Sequence, residues 1–192
     1  QNTDYISGLS IKTQTKLKVD YEKMKFSISE NELLINRLPL EVNGALEMPN
    51  DSMLFNLSVK SKESGFENFL ALLPPDYERY LRDIETSGSA DISGEVKGFY
   101  TGENYPAFNL DMNVQNGTFR YAGLPEEIKN MAANISVEKP QGELNLTEVK
   151  IENARAAVKD NPVEFSLVMN NLIADPYFNG TLVGKVDFSD LK

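Results

Sequence analysis

The amino-acid sequence predicts a mainly β fold: an elongated, strongly curved antiparallel sheet shaped as a groove, with a short helical pair near residues 65–84 and a short helix near 125–130. Three observations lead there. First, apolar side chains recur at every second position. Phe55, Leu57 and Val59 alternate with Asn56 and Ser58; Phe108, Leu110, Met112 and Val114 with Asn109, Asp111 and Asn113; Phe165, Leu167 and Met169 with Ser166, Val168 and Asn170. A period of two belongs to a strand with one apolar and one wet face. Second, short polar breaks such as Ser29-Glu30-Asn31 and Pro49-Asn50-Asp51 suit turns between antiparallel neighbours. Third, stretches such as Asn43-Gly44-Ala45-Leu46, Ser93-Gly94-Glu95-Val96 and Gly180-Thr181-Leu182-Val183-Gly184 set glycines on strands. Glycine there permits bending or close approach, so the sheet should curl around an apolar trough.

Taken in order, strands are predicted over 13–20, 23–29, 33–38, 40–48 and 53–60. A helix follows over 65–73, where Phe66, Phe69, Leu70 and Leu73 fall at offsets of three and four and Ser64 is placed to cap the start. Pro74 and Pro75 end it, and Pro75 opens a second helix over 76–84 with Tyr77, Tyr80, Leu81 and Ile84 on one face. This pair is expected to plug or lid one end of the sheet. Strands resume over 89–97, with Ala90, Ile92, Gly94 and Val96 pointing one way, then over 107–114 and 117–121. Leu124-Pro125 followed by Glu126-Glu127 predicts the short helix, since proline suits a first turn and acids its positive end. The remaining strands are expected over 131–137, 142–146, 149–152, 154–159, 163–169 and 178–186.

Composition narrows the function. The formal net charge of -10 argues against a nucleic-acid binder, which needs clustered Lys and Arg. Cysteine is absent, which excludes disulfides and thiolate chemistry, and histidine is absent too, which removes the usual general base and the commonest metal ligand. The acid pairs Glu126-Glu127 and Asp83-Glu85 have the form a glycosidase needs. With 29 Asp and Glu in 192 residues such neighbours are inevitable, and they read as solvated surface. Neither a calcium loop nor a phosphate-binding glycine loop is present. No catalytic residue, metal ligand or cofactor is therefore expected. The longest apolar run, Phe69-Leu70-Ala71-Leu72-Leu73, is far short of a membrane span. Phe-led alternating segments recur near residues 55, 108, 165 and 178, so 1–192 reads as one segment with weak sub-repeats 1–87 and 88–192. The opening Gln1 reads as a processed chain or a fragment of a longer one.

Three stretches resemble the AsmA family, relatives of TamB and of the bridge-like lipid transfer proteins: 38–46 (Leu38-Pro39-Leu40 running to Leu46), 89–98, and 108–121 running into Leu124-Pro125. The last is the most characteristic: alternating strand, Asn116-Gly117 turn, aromatic strand, then Leu-Pro. The resemblance covers most of residues 30–192. It implies a taco-shaped sheet with a greasy inner face in the bacterial periplasm, in a parent protein anchored to the inner membrane by a segment absent from this chain. It further implies a phospholipid or other acyl-chain lipid as ligand, and a part in phospholipid transport to the outer membrane or in its assembly and integrity, with outer-membrane assembly components as partners.

The expected groove lining is Phe55, Leu57, Val59, Phe108, Leu110, Met112, Val114, Phe165, Leu167 and Met169. Two other readings stand beside it. A structural or adhesive β-sandwich would use the same residues as a closed core. A carbohydrate-active β-protein would need sugar-stacking aromatics, and the chain has no Trp but 8 Tyr.

Overall fold

The computed structural model describes residues 10–70, 84–122, 126–159 and 161–185. Eleven strands form one antiparallel, curved sheet that is not closed. In chain order they are β1 (Ile11–Asp20), β2 (Lys25–Ile35), β3 (Leu38–Glu47), β4 (Met53–Ser61), β5 (Ser64–Gly65), β6 (Ile84–Tyr100), β7 (Ala107–Tyr121), β8 (Ile128–Lys139), β9 (Glu148–Val158), β10 (Asn161–Asn170) and β11 (Tyr177–Gly184). The helix α1 (Phe66–Leu70) follows β5. Each long strand pairs with the long strands next to it in sequence, and β5 adds a two-residue pairing to β6. The described strands form this one sheet and no second one.

Several breaks expected to be turns are bulges inside longer strands. Glu30 in β2, Asn116 in β7, Asn130 in β8 and Asn153 in β9 all have positive φ, between 47° and 52°. Each inserts one extra residue into the period of two, so that Ile28 is followed on its face by Asn31, Val114 by Gly117, Ile128 by Met131 and Ile151 by Ala154. The segments 23–29 and 33–38 therefore belong largely to one strand, β2. Likewise 107–114 and 117–121 are both β7, and 149–152 and 154–159 are nearly all β9. The bulges of β7, β8 and β9 adjoin one another, and with the register shift beside Gly88 in β6 and that between Phe165 and Leu167 in β10 they form a continuous crease. Bulges bend strands and raise local twist, which makes this crease one source of the curvature.

The helix expected near 125–130 is corrected: Glu126 and Glu127 are irregular, and Ile128 to Asn130 open β8. Ile128 pairs with Phe119 on one side and Val158 on the other. Two ladders outweigh the local preference of a turn too short to be stable alone. The strand expected over 142–146 is also replaced, by a single 3-10 turn at Leu144–Leu146 after a bridge between Tyr105 and Gly142. Of the helical pair, α1 is present, and the Ser64 hydroxyl accepts a hydrogen bond from the Asn68 side chain at 3.0 Å. Ile84 is strand. Leu73, Pro74, Pro75, Tyr77, Tyr80, Leu81 and Asp83 lie outside the described residues, as do Leu124 and Pro125.

The core is small and one-sided. Leu38 and Leu40 of β3, Phe69 of α1, Ala90 and Ile92 of β6 and Val114 of β7 are buried in one cluster. Phe66 packs against it, so α1 lies on the apolar face. Gly94 reports the bend there: the Asn109 carbonyl of β7 stands where a Cβ would project. Since a strand residue's Cβ points out of the sheet, the neighbouring strand is turned up toward the apolar side.

Candidate functional site

The cross-strand register places all ten expected lining residues on one face of the sheet. One row runs Val42, Val59, Gly94, Leu110, Val137, Val149, Met169 and Phe178, one residue from each long strand from β3 to β11. At about 4.8 Å between strands its seven steps span roughly 34 Å. A second row runs Ile92, Met112, Ile135, Ile151, Leu167 and Gly180 from β6 to β11. A third runs Leu17, Ile28, Gly44, Leu57, Val96 and Phe108 and ends at Lys139. Phe55 sits between Leu46 and Gly98, and Phe165 between Ala154 and Leu182.

Coverage of this face is uneven. Val114 is buried, and Val59, Leu110 and Met112 pack against the core under α1. Phe55, Leu57, Phe108, Phe165, Leu167 and Met169 are half-buried and lie outside that cluster. At the β11 side Phe178 is 59% and Leu182 74% exposed. The apolar face is thus covered in its α1 portion, and among the described residues no other element covers the rest.

Two polar residues on this face were not foreseen from sequence. Lys139 is 2% exposed, and its Nζ donates to the carbonyls of Tyr105 at 3.3 Å, Pro140 at 2.7 Å and Gly142 at 3.2 Å, 6.0 Å from the Phe108 ring centre. Burial lowers its pKa from the ordinary lysine value. All three ammonium protons are taken, so it has none to offer a ligand. The alternation Ile135, Val137, Lys139 was the available signal. Asn31 is buried beside the β2 bulge, where its side chain accepts from the Val42 amide at 2.8 Å and donates to the Val42 carbonyl. It replaces ladder bonds that the bulge interrupts.

The opposite face is polar and charged. Lys25 meets Glu47 at 2.7 Å, Lys60 meets Glu41 at 3.1 Å and Lys150 meets Glu148 at 2.6 Å. The hydrogen bond and charge of Glu148, joined by Glu138 and Glu152, raise the Lys150 pKa. A shallow hollow of about 460 Å³ here is bordered by Asp91, Asp111, Glu138, Glu152 and Lys150. Among the described residues no group of three or more His, Cys, Asp or Glu is placed to hold a metal ion, and no helix is long and apolar enough to cross a membrane. No family model matches the chain, and neither does any curated protein or solved structure.

Proposed function

We propose that this chain is a non-enzymatic lipid-binding segment whose apolar sheet face holds, and lets slide, the acyl chains of a phospholipid or similar lipid. The observation that carries the reading is the apolar row from Val42 to Phe178, which crosses eight strands and, beyond the part packed against the α1 cluster, has no further described element over it. Exposed apolar patches beyond a few hundred Å² are rare unless something binds them. Hydrocarbon laid on such a row gains about 25 cal/mol per Å² removed from water. Each strand offers similar contacts, so a guest meets no deep trap as it moves across the sheet. With its three donors already used, Lys139 has none to offer a head group, which stays in water. The likeness to AsmA family sequences supports the same reading and adds its setting: the bacterial periplasm, a parent protein anchored in the inner membrane, and lipid supply to the outer membrane or upkeep of its integrity.

Native mass spectrometry of the purified chain, with organic extraction of whatever copurifies, tests this. Acyl-chain lipid is expected with the wild type. Met169→Asp and Leu57→Asp, both outside the core cluster, should keep the circular dichroism of the folded sheet and lose the lipid. A wild-type chain that carries no lipid and takes none up from phospholipid vesicles overturns the reading.

A further inference from the structure

An unclosed sheet has two edges, and the two edges here differ. β1 carries Lys12, Lys16 and Lys18, the charges by which natural sheets discourage pairing with another chain. β11 carries neither charge nor proline from Tyr177 to Gly184, and every one of those residues is exposed. Such an edge is a template for another strand.

The sheet's own register says which strand fits. Two of its apolar-face glycines lie between bulky neighbours: Gly44 between Ile28 and Leu57, Gly94 between Val59 and Leu110. Gly180 and Gly184 have Leu167 and Val163 on the β10 side and an open place on the other. An antiparallel copy of β11 with its two-fold axis at Thr181 fills both places, setting Leu182 against Gly180 and Phe178 against Gly184, each twice by symmetry. No like charges meet. Pairing with the β1 edge of another copy would instead set its lysines beside a strand that has no acid to receive them.

We propose that β11 is a self-pairing edge through which two copies of this chain join, antiparallel about Thr181, into one continuous sheet. A two-fold axis perpendicular to the sheet keeps both apolar faces on the same side. This inference stands on the strand edge and holds whatever occupies the apolar face.

Sedimentation equilibrium of the full chain should show a monomer–dimer equilibrium. Thr181→Lys, at an exposed position, should raise the dissociation constant roughly tenfold by setting two lysines opposite each other; circular dichroism checks that it folds. Because the chain has no cysteine, Thr181→Cys gives an independent readout: mild oxidation should link the copies through residue 181. Asn179→Cys, whose partner in this register is residue 183, should link far less. A chain that stays monomeric, a dimer indifferent to Thr181→Lys, cross-linking no greater at 181 than at 179, or a different protein found at this edge would each overturn the inference.

Discussion

Lys139 shows what it takes to keep a cation on an apolar face. Its Nζ joins Tyr105 to the turn at Pro140 and Gly142, and so ties together two loops that sequence separates by more than thirty residues. Lys139→Ala leaves the Pro140 carbonyl without this donor, while the Tyr105 and Gly142 carbonyls keep each other's backbone amides, and is expected to cost about 1–2 kcal/mol, read from urea denaturation. The titration has a defined sign. Burial lowers the folded-state pKa below 10.5, so the unfolded chain holds the proton more tightly. Stability therefore rises with pH in the window between that lowered value and 10.5. Melting temperatures of wild type and Lys139→Met across alkaline pH should diverge in that window in favour of wild type; parallel curves would count against the assignment. Asn31 makes a second case. Asn31→Leu removes both bonds to Val42 and is expected to lower stability by about 1–3 kcal/mol in the same measurement.

Among the elements, the bulges separate what sequence makes legible from what it does not. Alternation around 55, 108 and 165 identifies β4, β7 and β10 and the face each buries, because a period of two is local information. A three-residue step at Glu30, Asn116 or Asn153 reads from sequence like a turn, since Asn and its neighbours favour both. Only the partner strands decide, and they lie elsewhere in the chain. The same limit explains the helix expected near 125–130, where proline and two acids outweighed an apolar Ile128 whose partners at 119 and 158 were out of view. Asn153 offers a direct test of the bulge. With φ at 51°, Asn153→Val should cost about 1–2 kcal/mol and Asn153→Gly almost nothing, compared by denaturation midpoint. A valine as well tolerated as glycine would mean that the backbone there is ordinary strand.

Across the whole molecule, the candidate lining was legible as a face but not as a surface of two kinds. Period-two patterning puts Leu110 and Met169 in the same class, yet Leu110 packs against the buried cluster that Phe69 of α1 helps to form, and Met169 lies outside it. That difference depends on where a five-residue helix lands, which patterning does not encode. If hydrocarbon completes the open part, lipid uptake should carry a negative heat-capacity change, measured by calorimetry at several temperatures, and Met169→Asp should abolish it. The order of the strands has a mechanical corollary. Because every long strand pairs only with those next to it in the chain, and β4–β6 is the one such step that closes a long connection, most hairpins can add without a distant loop closing first. Pulled from its C-terminal end, such a ribbon should give way like a zip, one hairpin after another, with a stall where it reaches the section around α1.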